Sequence, residues 1–503
     1  MTTHAENPGW SVPSAGKALV AVDMGAESCR VSLLRWVRGK PEIRLVHRFP
    51  NGAIEGAGGL KWDLARLVQG IETGLRCCAA IAGEGIAAIG VDGWAVDYVR
   101  LGADAQPLAD PFCYRDERTI TAEHWVHQRI SREKLYELTG VQLLRLNTIY
   151  QLVADNLQGG DAAAPWVNLP EYVLHHLGGA RVAEYTNATH TQLVARGTRR
   201  WCEDLFDLLG LRIEAAPPIV PPGAAIGKLA GSLAALPALS DCSLIAPACH
   251  DTAAAIAGIP ASGYDWAFIS SGTWSLVGAV LGAPCVAEAA RTRNYTNLGG
   301  VGGTICFLKN VNGLWLIRQC QEEWARAGKR WTAAELVTAA GEQPAPAALL
   351  DVDDPELLMP GQMPARINAQ RARAGHTPLS EAAEDAPAMA SLIFHSLAAR
   401  YAQIIRDVGE ITGKPRKRLF IVGGGNRNEV LNRLTAAATG LEVLRGPAES
   451  STIGNLAIQL ASLGGAWSEA GGADAAAVAH WASVLASAYA DQEEAVATTA
   501  ISS

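Results

Sequence analysis

An apolar strand, a turn of small and polar residues and a second strand occur twice in this chain, and that echo restricts the fold more than any other feature. The first copy reads "LVAVDMGAESCRVSLL" over residues 19–34 and the second "WAFISSGTWSLVGAVL" over residues 266–281. A supersecondary unit that recurs implies two related halves. After the first copy come a third alternating strand over 42–48, a helix-spaced stretch over 62–81 and a buried strand over 86–91. Leu64, Leu67, Ile71 and Leu75 would share one face of that helix. Three strands in meander, a helix and a further strand make an α/β unit with a mixed sheet. The second copy leads to a long helix over 389–411, a strand and glycine turn in "RLFIVGGGNRN", and a helix from Glu429.

A length of 503 residues exceeds what one core supports. The expected division is residues 1–260 and 261–503, with a hinge at Pro260-Ala-Ser-Gly263. The Pro-rich stretch 215–223 and the Pro/Ala-rich stretch 341–363 read as loops, and the alanine-rich tail after Glu469 as a surface helix. The first 17 residues are polar and lack the apolar core of a secretory signal, so they read as a frayed tail. A net charge of −8 without a basic block excludes nucleic acid as a partner. No apolar run reaches the roughly 18 residues of a membrane span. Ten cysteines without a CxxC pair read as reduced thiols in a cytoplasmic protein, with neither a disulfide framework nor a zinc site.

Several motifs carry chemistry. In "VDMGAESCR", Asp23 ends a strand and Gly25 permits a tight turn, so the backbone amides that follow are free to hold phosphate oxygens. Asp23 could hold Mg²⁺ through water, since that ion keeps much of its hydration shell; an ordinary capped hairpin fits the same letters. "IVGGGNRN" followed by a helix suits phosphate at a helix N-terminus, or simply a tight strand-to-helix turn. Gly446, Gly454 and Ala457 of "GPAESSTIGNLAIQL" would let a helix pack closely on a neighbour. "GVDGWAVDYV" sets Asp92, Trp94 and Asp97 at the end of a buried strand, where open α/β sheets bind ligands, and an aromatic face beside carboxylates suits a sugar. The mixed charges of "YRDERT" read as a solvated face. In "ACHDTAAAI", Asp251 falls in the first turn of a helix, where the dipole favours the ionised form. It is either a helix cap or a base for a hydroxyl, and His250 and Thr252 stand ready to hold neighbouring hydroxyls.

In chain order, "AVDMGAESCRV", "GVDGWAVDYV", "YRDERT", "GVQLLRLNTIYQL", "EYTNATHTQLV", "HDTAAAI", "ISSGTWSLVG", "LKNVNGLWL", "IVGGGNRN" and "GPAESSTIGNLAIQL" resemble the FGGY carbohydrate kinases, within them the rhamnulokinase subgroup, over residues 19–463. "LNTIYQL", "EYTNATHTQL" and "KNVNGLWL" carry the resemblance to the subgroup. The resemblance implies an α/β protein of the actin/Hsp70-like ATPase fold, two ribonuclease-H-like domains with ATP and sugar in the cleft between them. It implies a small-molecule sugar and ATP as partners, Mg²⁺ as cofactor, and a monomer or homodimer. It implies Asp251 as the general base that deprotonates the C1 hydroxyl of a ketose such as L-rhamnulose. Trp94, Ala95, His250, Thr252 and Asn310 are then sugar contacts. Ala26, Glu27, Ser28, Cys29 and Arg30 match the loop at the ATP phosphates, and Thr273, Arg318 and Gly424 match further nucleotide contacts.

Three departures from the family pattern bear on specificity. Cys29 stands where a glycine usually precedes the arginine, which would set a thiol near ATP. The sugar motif, typically "DTWGVD", reads "DGWAVD", so Gly93 replaces Thr and Ala95 brings a methyl into the pocket; one methyl discriminates between substrates by about 1–3 kcal/mol. Arg318 occupies a position that is often Gln. The same fold admits a kinase for L-fuculose, D-ribulose or L-xylulose, or a non-catalytic regulator that binds sugar and ATP. A dinucleotide oxidoreductase would need GxGxxG after the first strand and an acid about 20 residues on, a pattern absent here.

Overall fold

The computed structural model describes residues 16–501 except Ala57 and Ser262, with side chains to residue 493. The polar tail up to residue 15 and Ser262 of the expected hinge lie outside the described residues.

Strands β1 (Ala18–Met24), β2 (Ser28–Val37) and β3 (Lys40–Pro50) form the expected meander, followed by helix α1 (Leu64–Ile81) and strand β4 (Ile86–Gly93). Asp63 caps α1 by accepting from the Arg66 amide, and Leu64, Leu67, Ile71 and Leu75 are its buried face. A long insertion follows, containing helices α2 (Thr148–Leu157) and α3 (Tyr185–His190). Strands β5 (Ala224–Lys228) and β6 (Ser243–Ala246) and helix α4 (Asp251–Ala257) complete the half. The second half brings strands β7 (Trp266–Ser271), β8 (Trp274–Leu281), β9 (Thr296–Gly299) and β10 (Ile305–Asn312), then helices α5 (Trp315–Arg326) and α6 (Ala386–Thr412). Strand β11 (Arg418–Val422), helix α7 (Glu429–Thr439), strand β12 (Glu442–Arg445) and helices α8 (Ser450–Leu463) and α9 (Ala475–Ile501) end the chain.

The first sheet has the order β5-β6-β4-β1-β2-β3 and the second β9-β10-β8-β7-β11-β12. In the first, β3-β2-β1 is antiparallel and β1-β4-β6 parallel. In the second, β10-β8-β7 is antiparallel and β7-β11-β12 parallel. The echo between residues 19–34 and 266–281 is thus a duplication of a five-strand unit. In each unit a long helix follows the meander and a short one follows the fifth strand: α1 and α6, α4 and α8.

Helices α4 and α8 lie against each other between the two sheets. Ala253 and Ala254 of α4 share a core with Ile453 and Leu456 of α8 and with Leu19 and Ile245 of the first sheet. Ala255 and Ile256 join the core of Phe268, Leu276 and Phe420 of the second. The helices approach so closely that a Cβ on Gly454 would lie 1.8 Å from the Ala254 carbonyl, the close packing expected of that glycine. Helix α8 also threads amides into the first sheet. Asn455 Nδ2 donates to Asp92 Oδ2 (2.6 Å), and Gln459 Nε2 donates to Asn455 Oδ1 (2.7 Å) and to the Val20 carbonyl (3.0 Å).

Helix α9 corrects the reading of the tail as a surface helix. Val478, Trp481 and Leu485 are buried in the core formed by α8 and the outer face of β1–β3, with the Trp481 ring edge-on to Trp36 at 6.2 Å. The alanine-rich letters hid an apolar stripe at helical spacing. The strands therefore divide near residue 260, whereas the last two helices cross back onto the first sheet.

Candidate active site

A cleft of ≈ 1290 Å³ runs between the halves, lined by the ends of β1 and β4, the start of α4, the turn after β7 and the glycine turn after β11. Strand register gathers its carboxylates. Asp23 pairs laterally with Arg30 across the β1–β2 hairpin and with Asp92 across the parallel β1–β4 ladder. Gly93 forms an isolated bridge to His250, bringing the start of α4 alongside.

On the cleft floor, Asp23 is 3% exposed. Its Oδ2 accepts from Arg30 Nη1 (2.8 Å) and from Ser451 Oγ (2.6 Å) of α8. Arg30 Nε also lies 3.5 Å from Glu449. Asp251 occupies the first turn of α4, with His250 at its N-cap. Its side chain keeps 33% of its surface open and lines the cleft. Burial, then the like charge of Asp23, pushes its pKa up to about 7. This reverses the dipole-based expectation of a permanently ionised group: in a seven-residue helix, desolvation and a neighbouring anion outweigh the dipole. Asp92, fully buried, is raised well above the carboxylate range by burial and by Asp23. Its Oδ1 has no hydrogen-bond partner.

One wall of the cleft is built around Trp94. Asp97, fully buried, accepts from Trp62 Nε1 (2.6 Å), Trp94 Nε1 (2.9 Å), Gln151 Nε2 (3.0 Å) and the Tyr114 amide (3.3 Å). Burial pushes its pKa up to about 6 against those four donors. Between Trp94 and Asp97 the backbone turns through Val96 at φ 72°, a conformation β-branched residues seldom adopt. The Val96 carbonyl is held there by Thr148 Oγ1 (2.7 Å) and Gln151 Nε2 (3.3 Å). The "LNTIYQL" stretch therefore fixes the tryptophan wall from behind. Ala95 lines the cleft, and a Cβ on Gly93 would lie 2.8 Å from Met24 Cβ, which leaves no easy room for threonine there. Asn310 Nδ2 and its amide both donate to Gln142 Oε1 (2.9 and 2.8 Å).

The other wall joins the two hairpin turns. Ala26, Glu27, Ser28 and Arg30 line the cleft opposite Thr273, Arg318 and Gly424. Glu27 spans it: Thr273 Oγ1 donates to Glu27 Oε1 (2.9 Å), and Arg318 pairs with the same carboxylate. Gly423 adopts φ 82°, and a Cβ on Gly425 would lie 2.1 Å from Ser271 Oγ, so this turn needs its glycines to sit against β7.

The expectation of a thiol near ATP is corrected. Strand alternation turns Cys29 away while Ser28 and Arg30 face the cleft; its Sγ is fully buried in the core with Val31 and Leu33. Burial drives that thiol far above its ordinary range. "YRDERT" is likewise not a solvated face. Arg118 is buried against Asp155, Asp116 Oδ2 accepts from the Leu60 amide (2.7 Å), and Arg115 stacks on Trp315 at 3.8 Å. Sequence reasoning named neither His190, which lines the cleft beside His250, nor Ser451, which reaches Asp23 from 428 residues away. His190 lay inside "EYTNATHTQLV", a stretch singled out without a role for its histidine.

The family model described as the N-terminal domain of the FGGY family of carbohydrate kinases matches residues 18–258, and that of its C-terminal domain residues 267–463. Among curated relatives, a rhamnulokinase of Bacteroides thetaiotaomicron is 37% identical, over 90% of this chain and 92% of its own. The rhamnulokinases of Enterococcus faecalis (38%; 89% and 90%) and Pectobacterium carotovorum (39%; 90% and 89%) are similar to the same extent. Among solved structures, a xylulose kinase from Lactobacillus acidophilus superposes with a TM-score of 0.74 at 16% identity, over 96% of this chain and 98% of its own. A gluconate kinase from the same organism gives 0.72 at 16%, over 93% and 92%.

Proposed function

This chain belongs to the FGGY family of carbohydrate kinases and is an ATP-dependent sugar kinase, and from that premise we propose that it phosphorylates the C1 hydroxyl of L-rhamnulose or a close relative, with Asp251 as general base. The observation that carries this reading is the place of Asp251: a carboxylate with its pKa near 7, on the cleft floor between the Trp94 wall and the phosphate-facing turns. A base matched to neutral pH is what hydroxyl deprotonation calls for. The names of the curated relatives support the sugar.

Trp94, held by Asp97, stacks on the apolar face of the sugar, with Ala95, His250, Thr252 and Asn310 around it. Ala26 to Arg30, Thr273, Arg318 and Gly424 hold the nucleotide, Ser28 and Arg30 by side chain and Cys29 by its backbone alone. Asp251 takes the C1 hydroxyl proton, the C1 oxygen forms a bond to the γ-phosphorus, and the bond from that phosphorus to the bridging oxygen breaks, releasing ADP. Closure of the halves excludes water, which would otherwise accept the phosphoryl group. Among the described residues no group of three or more His, Cys, Asp or Glu side chains could hold a metal by itself. The oxygen donor Asp23 nevertheless suits Mg²⁺ entering on the triphosphate, through a water. When bound, that ion neutralises phosphate charge.

Each chain carries a whole cleft, so the reading holds for a monomer or a homodimer. Ten free cysteines and a need for ATP suit the cytoplasm. The test is initial rates with ATP and Mg²⁺ over L-rhamnulose, L-fuculose, D-ribulose and L-xylulose. L-Rhamnulose is expected to give the highest kcat/KM and a 1-phosphate product. A higher value for another sugar reassigns the substrate, and no turnover with any of them removes the ketose assignment.

A further inference from the structure

His190 ends α3 and is 7% exposed, its ring edge against that of His250 with centroids 4.0 Å apart. His190 Nε2 lies 3.1 Å from His250 Nδ1, and His250 Nε2 lies 3.5 Å from Asp251 Oδ1. Three side chains thus form a line from the wall of the cleft to the carboxylate on its floor.

The backbones that carry the two rings are clamped together. Glu184, fully buried, accepts from the Thr186 amide (2.9 Å) and from the Cys249 amide (2.8 Å), and so ties the start of α3 to the residue before His250. Glu171, also fully buried, accepts from the Glu184 amide (3.0 Å) and from Asn187 Nδ2 (2.8 Å). Phosphoryl transfer uses neither acid. Burying two carboxylates is costly unless donors surround them, and here those donors lock the histidine pair.

Hydrogen counting decides what the pair does. Two ring nitrogens facing each other at 3.1 Å share one hydrogen. Burial keeps both rings neutral, lowering His190 to about 3 and His250 well below its ordinary value, so a second hydrogen is excluded. If that hydrogen belonged to His250 Nδ1, the bare Nε2 lone pair would face a carboxylate oxygen at 3.5 Å. If it belongs to His190 Nε2, His250 carries its own hydrogen on Nε2, towards Asp251 and the cleft. The second arrangement turns an N–H rather than a lone pair towards the carboxylate oxygen 3.5 Å away.

We propose that His190 is a positioning residue for phosphoryl transfer: its Nε2–H holds His250 in the tautomer that presents an Nε2–H donor to Asp251 and to the sugar oxygen beside it. This rests on the reading of Asp251 as the base. The donor steadies the ionised carboxylate and fixes which of its lone pairs meets the C1 hydroxyl. The other ionisable groups coupled to Asp251 are Asp23 from β1, Arg30 from β2 and the buried Asp92 from β4; on His250 it is His190, and Glu184 accepts from the amide of the residue before it.

The test compares His190→Leu, which keeps bulk and loses the donor, with His190→Gln, whose amide N–H reaches about as far as Nε2. Both are measured as full-length protein beside Asp251→Asn, with thermal midpoints confirming folding. His190→Leu is expected to lower kcat about 10–100-fold, within the range of general acid–base effects. It should also move the acid limb of the pH–rate profile upward while leaving the KM for ATP unchanged, and His190→Gln should restore the rate to within a few-fold. A His190→Leu enzyme with the wild-type rate and limb overturns the proposal, as does a His190→Gln enzyme no better than Leu. If Asp251→Asn keeps its turnover, the base assignment itself fails and takes this proposal with it. An inactive Asp251→Asn beside an unaffected His190→Leu sinks this proposal alone.

Discussion

If Asp251 is the base, the rate must follow its protonation, and the structure sets the midpoint. Its pKa stands at about 7, against 3.8 for an ordinary aspartate, because burial and then Asp23 penalise the charged form. One pH unit below that midpoint about one-tenth of the enzyme is in the active form, and two units below about one-hundredth. Between pH 8 and pH 5 the rate should therefore fall by roughly 100-fold, whereas an aspartate of ordinary pKa would lose less than about 10% over the same span. The assay is the initial rate of ADP formation from pH 5 to 9, with both substrates well below their KM so that the free enzyme is reported. Asp251→Asn should drop the rate by about 10²–10⁴ and abolish the limb. Asp23→Asn removes a like charge and should move the midpoint of its remaining activity downward, by part of the shift only, since burial is the larger cause. Stability runs the opposite way. The folded pKa lies above the unfolded one, so the native state holds the proton more tightly between about pH 4 and 7 and loses stability as pH rises through that window. Asp251→Asn, neutral throughout, is expected to melt higher than wild type at pH 8. A profile flat from pH 8 to 5, or an undiminished limb in Asp251→Asn, would refute the reasoning.

Three further outcomes can be checked. Trp481→Ala empties a site 5% exposed beneath the first sheet and should cost about 3–5 kcal/mol in urea unfolding; a change under 1 kcal/mol would mean that α9 is not docked there. Asp97→Asn sets an amide N–H against one of four donors, at about 1–3 kcal/mol. It should raise the KM for the sugar and spare that for ATP, and an unchanged sugar KM would free Trp94 from this support. Glu27→Gln removes the anion that Thr273 and Arg318 hold. Calorimetry should then find ATP bound about fivefold tighter, roughly 1 kcal/mol, and equal or weaker binding would show that this carboxylate does not compete with phosphate.

The amino-acid order alone determined the duplicated strand–turn–strand unit, the helix face of α1, the existence of the long helix α6, and the place of Asp251 in the first turn of its helix. These are local: period, turn chemistry and capping act over a few residues, so the letters record them. The line of the cleft was legible too, because strand ends and glycine turns mark where ligands meet an α/β sheet. Tertiary structure decided what depends on residues far apart in the chain. Ser451 reaches Asp23 across 428 positions, Thr148 and Gln151 hold the strained Val96, and α9 returns to the first sheet. It also decided charge. The dipole visible in the sequence argued for an ionised Asp251, but burial and then the field of Asp23 pushed its pKa up to about 7. The pattern of letters specifies which groups a strand end offers; their protonation and hydrogen-bond partners follow from what the fold packs around them, because electrostatic and packing energies depend on distance in space rather than on separation along the chain.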